Sequence, residues 1–226
     1  MDVIAVTSQK GGAGKTTLSC HCATLASEHG PTLLIDLDPQ KSAVEWHEAR
    51  THEPRTNSGP LLADITEGQL PEALELAENE GIETVIIDTP PHNARSAVMA
   101  TKSANLVVVP TRPSIVDLRA LRRTIDMLEE AKVRPAFVIN SAPPQRGVAR
   151  APVVIDTREV LRETGYPVWD GQLTQRQAFS EAMVNGSAVH EYEAKGKAAA
   201  EIRDLWRWIQ SQLAAARPGS AAAANL

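Results

Sequence analysis

The chain has 226 residues, of which 42% are hydrophobic and 23% are charged, a composition typical of a globular domain with a sizeable core. The formal net charge of −5 excludes a global basic field, so any surface that binds nucleic acid must be a local patch. No leader peptide or membrane-spanning stretch is recognisable, and the two cysteines form no disulfide framework, so we expect a cytoplasmic protein.

Apolar runs rich in β-branched residues alternate with helical patterns along the chain. We predict strands at six of these runs, the last of them weak: residues 3–6, 32–35, 84–87, 106–109, 136–139 and 166–169. Because the runs are continuous rather than alternating, the strands should be covered on both faces, as in a parallel sheet. The pattern predicts a doubly wound α/β fold with one domain over residues 1–213 and a disordered tail over residues 214–226.

Helical periodicity predicts helices at about residues 16–29, 115–131 and 197–214. The first of them carries Cys20, His21 and Cys22, a cluster that could suggest a metal site. Residues two apart on a helix point to nearly opposite sides, and Cys22 falls on the apolar stripe. We therefore predict that these cysteines pack in the core.

A glycine-rich segment, Lys10-Gly11-Gly12-Ala13-Gly14-Lys15-Thr16-Thr17, follows the first predicted strand and opens the first predicted helix. Glycines at this place allow backbone N–H groups to surround phosphates, and the helix N-terminus adds a positive dipole end. We predict that Lys15 contacts the β- and γ-phosphates of a nucleotide and that the Thr16 hydroxyl ligates Mg²⁺. Gln9 stands where the usual pattern has glycine, so this is a deviant phosphate loop with a second lysine, Lys10.

Aspartates follow two further predicted strands at the edge of the sheet where ligands bind in such folds. Asp36 and Asp38 lie two residues apart in an extended chain, so both should point to one side. One could orient an attacking water and the other could support the Mg²⁺ shell; the alternative is an Asp-Pro turn with a capping aspartate. Asp88 is predicted to reach Mg²⁺ through water, or alternatively to cap the next helix.

Four segments, KGGAGKTT, DLDPQKS, IIDTPP and VVVPTRPSIVDLRA, resemble the ParA family of deviant Walker-A P-loop ATPases. A weaker fifth segment, LTQRQAFSEAMVNGSAVHEYEAKGKAAAEI, favours the partition branch of that family. The resemblance extends from residue 1 to about residue 209. We expect the short form, which lacks an N-terminal helix-turn-helix module.

The resemblance implies an ATP hydrolase that uses ATP and Mg²⁺ and forms a homodimer when ATP is bound. Lys15 would serve the nucleotide of its own subunit, whereas Lys10 would reach the ATP of the partner subunit, as an arginine finger does in trans. From the residues alone, Lys10 could equally be a solvated loop lysine. The resemblance also implies roles for residues further along the chain: Asp38 would position the attacking water with Asp36 beside it, Asp88 would support Mg²⁺, and Asn140 would bind adenine. The loop from Pro110 to Pro113 would line the nucleobase and the dimer face.

Family members bind DNA without sequence preference as ATP-bound dimers, which directs attention to arginines in the second half of the chain. The candidates are Arg119, Arg122, Arg123, Arg146, Arg150, Arg158, Arg162 and Arg176, and each set could instead be a solvated face. The family function implied is nucleoid-associated segregation of a plasmid or chromosome with a centromere-binding partner, ParB- or ParG-like, and without a membrane. The alternatives are a positioning ATPase for another intracellular cargo and a metabolic P-loop enzyme that uses ATP on a small molecule.

Overall fold

The computed structural model describes residues 1–52, 59–91, 94–144 and 150–217, and for residues 94 and 115–120 it describes the backbone alone. Within this part of the chain the strands are β1 Asp2–Val6, β2 Thr32–Asp36, β3 Leu61–Asp64, β4 Thr84–Asp88, β5 Leu106–Thr111 and β6 Pro135–Ile139. The helices are α1 Lys15–Ser27, α2 Ser42–Thr51, α3 Leu70–Asn79, α4 Ala94–Ser103, α5 Ile115–Glu130, α6 Pro152–Glu163, α7 Gln177–Val184, α8 Val189–Tyr192 and α9 Lys197–Ala216.

The strands form one sheet in the order β3–β2–β4–β1–β5–β6, in which every neighbouring pair is parallel. Successive side chains of a strand point to opposite faces. Ile4 and Val6 of β1 therefore pack under α1, α2 and α9, whereas Val3 and Ala5 pack under α3, α4, α5 and α6. This double covering explains why the strands are apolar without alternation, and it confirms the predicted doubly wound α/β fold.

The predicted strand at residues 166–169 is wrong. This segment makes only an isolated parallel bridge, Phe137 with Val168, because Pro167 has no N–H group to donate and the chain turns away at Asp170. Conversely, β3 was not predicted from the sequence. It is a strand of four residues at the edge of the sheet, and its side chains are exposed or half-buried.

The ends of the first and last helices also differ from the prediction. Helix α1 ends at Ser27, shortly before Gly30 and Pro31. Helix α9 continues to Ala216 and so includes residues that were assigned to the tail, whereas residues 218–226 lie outside the described part of the chain. Among the described residues, no helix combines the length and apolar character that crossing a bilayer requires.

In a parallel sheet all strands end at the same edge. The segments that follow β1, β2, β4, β5 and β6 therefore meet above this edge, and they carry the phosphate loop, Asp38, Pro90, Arg112 and Asn140. This is the place where ligands bind in open α/β sheets.

Candidate functional site

The phosphate loop joins β1 to the start of α1 at Lys15. Two of its glycines, Gly12 and Gly14, have φ angles of 71° and 87°, in the left-handed region that L side chains rarely adopt. Gly14 is doubly constrained, since a Cβ atom there would lie 2.2 Å from Nδ2 of Asn140. Asn140 needs this close approach because its Nδ2 donates a hydrogen bond to the Ala13 carbonyl oxygen at 2.7 Å. The end of β6 is thereby fixed to the phosphate loop.

Lys15 is only 6% exposed at the N-terminus of α1. Burial lowers the pKa of its ammonium group, while the negative charges of Asp88 and Asp38 act in the opposite direction. Lys15 borders a cavity of about 450 Å³, which we call the lysine cavity and whose wall also includes Gly12, Thr16, Thr17 and Asp38. A buried cation beside two carboxylates, one of which borders the same cavity at a helix N-terminus, is suited to bind a polyanion with a metal ion.

Asp88 at the end of β4 is buried directly behind this cavity. Its carboxylate accepts hydrogen bonds from the Thr16 hydroxyl at 2.6 Å and from the Ser19 hydroxyl at 3.1 Å. Burial raises the pKa of Asp88 to about 7 and the charge of Asp36 adds to the rise, whereas the Thr16 and Ser19 hydroxyls and the charge of Lys15 oppose it. Asp88 thus contacts the hydroxyl that was predicted to ligate Mg²⁺.

Asp36 and Asp38 occupy different environments although they are two residues apart. Asp36 is 1% exposed and accepts hydrogen bonds from the N–H groups of Asp38 (2.9 Å), Ala43 (3.1 Å) and Val44 (3.3 Å). Its carboxylate therefore holds N–H groups in the first turn of α2, as the capping alternative describes, and its place in the Mg²⁺ shell stays a prediction. Asp38 is half-buried and borders the lysine cavity.

A second cavity of about 220 Å³, which we call the asparagine cavity, adjoins the first and shares Gly14, Thr17 and Ser180 with it. Asn140 borders the asparagine cavity, as the resemblance implied for a nucleobase site. The prolines predicted for this wall are placed differently. Pro110 borders a separate small recess, together with Lys10 and Ala13. Pro113 is not among the described residues that border the asparagine cavity or the lysine cavity.

Arg112, which lies in the loop predicted for this wall, borders the asparagine cavity. A further residue of this cavity was not predicted from the sequence. His21 of α1 also lies in its wall, fully buried, with its ring 5.4 Å from the ring of Phe179. The helical spacing of four residues between Thr17 and His21, which puts both on one face of α1, is the signal that could have found His21. Cys20 and Cys22 are buried in the core, which confirms the predicted packing.

The arginines predicted for DNA binding fall into different classes. Arg122 and Arg123 are exposed on α5, whereas the side chain of Arg119 and the whole of Arg146 lie outside the described residues. Arg176 borders the asparagine cavity and pairs with Glu201 of α9 at 2.7 Å. Arg176 therefore belongs to the candidate site rather than to an open DNA surface.

Three further arginines meet at the loop around Asp170. Arg158 is 4% exposed and donates hydrogen bonds to the carbonyl oxygens of Trp169 and Gly171, so its predicted contact with DNA is wrong. Arg150 donates to the Asp170 carbonyl oxygen at 2.5 Å, and Arg162 pairs with the Asp170 carboxylate at 2.6 Å. Arg162 remains exposed, and Arg150 is half-buried.

Residues 4–189 match the family described as the CobQ/CobB/MinD/ParA nucleotide binding domain, so the chain belongs to this family, as the resemblance to ParA proteins predicted. Among curated relatives, the maintenance of carboxysome distribution protein A of Gloeobacter kilaueensis is 30% identical over 213 residues, which cover 93% of each chain. The protein ParA of Rhizobium radiobacter is 28% identical over 212 residues, covering 90% of this chain and 92% of the relative.

A solved structure with the same fold is the septum site-determining protein MinD of Pyrococcus horikoshii complexed with Mg-ADP. Its TM-score is 0.71 at 17% identity, and the match covers 96% of this chain and 99% of that chain. The family thus binds nucleotides, and a nucleotide with Mg²⁺ occurs on this fold.

Proposed function

We propose that this chain is an ATPase whose two subunits pair around ATP and separate after hydrolysis, and that this cycle positions an intracellular cargo. The observation that carries the proposal is the lysine cavity, where buried Lys15, the Thr16–Asp88 hydrogen bond and Asp38 surround one space at the start of α1. These are the residues that phosphoryl transfer requires, since the reaction depends on positioning and charge stabilisation.

The described residues fit ATP with Mg²⁺. The lysine cavity offers Lys15 and the α1 N-terminus to the β- and γ-phosphates, and the adjoining asparagine cavity offers Asn140 to the base. Asn140 already uses Nδ2 on the Ala13 carbonyl oxygen, so its Oδ1 atom is left to accept a hydrogen bond from the amino group of adenine. Thr16 would hold Mg²⁺, with Asp88 behind it; when bound, the ion neutralises charge on the phosphate oxygens.

For hydrolysis we assign the orientation of the attacking water to Asp38, which borders the lysine cavity together with Lys15. Asp36 holds the backbone N–H of Asp38 and the first turn of α2, and so keeps the Asp38 carboxylate in position. Lys10 borders the recess beside Ala13, and we propose that it reaches the ATP of the partner subunit. A cation supplied in trans stabilises charge only in the dimer, and so couples pairing to hydrolysis.

The relatives favour positioning of a cargo other than a plasmid or chromosome at least as well as segregation. The Gloeobacter relative is named for carboxysome distribution, and it matches over 93% of this chain. Segregation remains a second candidate, which the match to ParA of Rhizobium radiobacter supports. In either case we propose that the ATP-bound dimer holds nonspecific DNA and that a partner protein, centromere-binding or cargo-binding, stimulates its release.

ATP turnover and ATP binding of the Asp38→Ala protein test the proposed chemistry. We expect ATP to bind while single-turnover hydrolysis falls about 100-fold or more, the loss typical of a residue that positions a reacting group. Asp204→Ala, which removes an exposed carboxylate of α9, is the matched control and should hydrolyse ATP normally. An Asp38→Ala protein with wild-type turnover would contradict the assignment. Turnover that requires a small molecule and ignores DNA at two salt concentrations would favour the metabolic alternative.

A further inference from the structure

Arg112 follows β5 in a loop that touches two parts of the candidate site. The loop lies beside the phosphate loop because β5 pairs with β1, and beside Asn140 because the N–H of Asn140 donates to the Thr111 carbonyl oxygen at 2.9 Å. The Arg112 side chain is exposed, and it borders both the asparagine cavity and the recess that contains Lys10 and Ala13. It therefore lies between the asparagine cavity and this recess.

The guanidinium group of Arg112 comes close to the backbone of the phosphate loop. Its Nη2 atom lies 3.9 Å from the position that a Cβ atom would take on Gly12. Gly12 has no side chain, so nothing of that residue separates the guanidinium from a ligand bound on the loop. The planar guanidinium can donate two parallel hydrogen bonds to a phosphate group.

The charge of Arg112 differs from that of the other arginine in the asparagine cavity. Arg176 is neutralised by Glu201 at 2.7 Å, and Glu201 also accepts hydrogen bonds from the N–H and hydroxyl of Thr174. Among the residues that the structure describes, no carboxylate lies within 4.0 Å of the Arg112 guanidinium. Arg176 is thus part of the cavity wall, whereas Arg112 has its positive charge available to a ligand.

We propose that Arg112 binds the α-phosphate of the nucleotide held by its own subunit. The inference rests on the proposed function, which places the base at Asn140 and the β- and γ-phosphates at Lys15 and Thr16. A nucleotide that spans these two ends carries its α-phosphate past Gly14, which borders both cavities and lies in the same cavity wall as Arg112. Lys15 and Arg112 then neutralise different phosphates of one ligand.

The affinities of adenosine, AMP, ADP and ATP for the wild-type chain and for Arg112→Gln test the inference. They are measured by competition against a fluorescently labelled ADP at a protein concentration where the ADP form is monomeric. We expect Arg112→Gln to lower the affinities for AMP, ADP and ATP equally, by about tenfold. This factor corresponds to the loss of one charge-assisted hydrogen bond. Adenosine should bind both proteins equally, and Arg112→Lys should restore part of the loss. Arg134→Gln removes the same charge just before β6, at the opposite edge of the sheet, and is the matched control.

The possible outcomes separate the inference from the proposed function. A wild-type protein that binds none of the nucleotides would refute the proposed function itself. If the wild type binds ATP and Arg112→Gln binds AMP as well as the wild type does, only the role of Arg112 is refuted. A loss confined to ATP would assign the side chain to the γ-phosphate, and an equal loss for adenosine would assign it to the base or the ribose; both results contradict the inference.

Discussion

The burial of Asp88 should make the nucleotide-free protein less stable, and replacing this carboxylate by an amide tests that expectation. The pKa of Asp88 is about 7 against a reference of 3.8, and burial is the largest cause. The folded state therefore holds the proton more tightly than the unfolded state does. Because the folded pKa is raised, the stability that this group contributes is complete below pH 4 and is lost as the pH rises through 7.

The size of the effect follows from the interval between the two pKa values. A pKa interval of about 3 units corresponds to about 4 kcal/mol in the free energy of unfolding. About 2 units of this interval lie above pH 5, so about two thirds of the effect appears between pH 5 and pH 7. Asp88→Asn keeps the shape of the group, and the hydroxyls of Thr16 and Ser19 can both donate and accept, so the amide can be satisfied. Lys15 loses one of its two neighbouring negative charges, which reduces the gain.

We therefore expect Asp88→Asn to unfold at higher urea than the wild type, with an advantage that grows by about 2–3 kcal/mol between pH 5 and pH 8. The measurement is urea unfolding at both pH values in the presence of a metal chelator and without nucleotide. Asp204→Asn, at an aspartate whose side chain is 57% exposed, should show no such change. If the difference in the free energy of unfolding between Asp88→Asn and the wild type is the same at both pH values, the argument is refuted.

Three further predictions concern the loop and the packing around it. Gly14→Ala should lower the affinity for ATP by at least about tenfold in a binding titration, because the new Cβ atom would lie 2.2 Å from Nδ2 of Asn140. An affinity within about twofold of the wild type would contradict this prediction. Arg50→Leu should lower the free energy of unfolding by about 3 kcal/mol in urea, since it leaves the Glu191 carboxylate, now 2.7 Å from Arg50, without that cation; a loss under about 1 kcal/mol would count against it. Arg162→Gln should lower DNA retention and flatten its salt dependence without lowering the urea midpoint of unfolding, because Arg162 is exposed. Arg158→Gln should lower that midpoint, because Arg158 is buried. The reverse pattern would refute the assignment of Arg162 to DNA and of Arg158 to the core.

The sequence predicted the parts of the site that depend on short spacings. The phosphate loop could be recognised because its glycines, Lys15 and Thr16 are consecutive and stand between a strand and a helix. Asp88 could be placed because it directly follows an apolar run. The strand at residues 61–64 was missed because an edge strand of four residues carries little apolar signal.

Roles that depend on distant backbone groups could not be predicted in the same way. The carboxylate of Asp36 caps α2 only because residues 43 and 44 fold back over it. Arg158 is buried because the carbonyl oxygens of residues 169 and 171, which are 11 and 13 positions further along the chain, turn towards it.

The most direct test of the central claim is sedimentation of the Lys10→Ala protein with a slowly hydrolysed ATP analogue. We expect the wild type and the control Lys102→Ala, which removes an exposed lysine of α4, to sediment as dimers. Lys10→Ala should bind the analogue with wild-type affinity and remain monomeric, because Lys15 and Thr16 of its own site are kept and the contact with the partner's phosphates is lost. A Lys10→Ala protein that forms the full dimer would contradict the proposal that two subunits pair around ATP through this lysine.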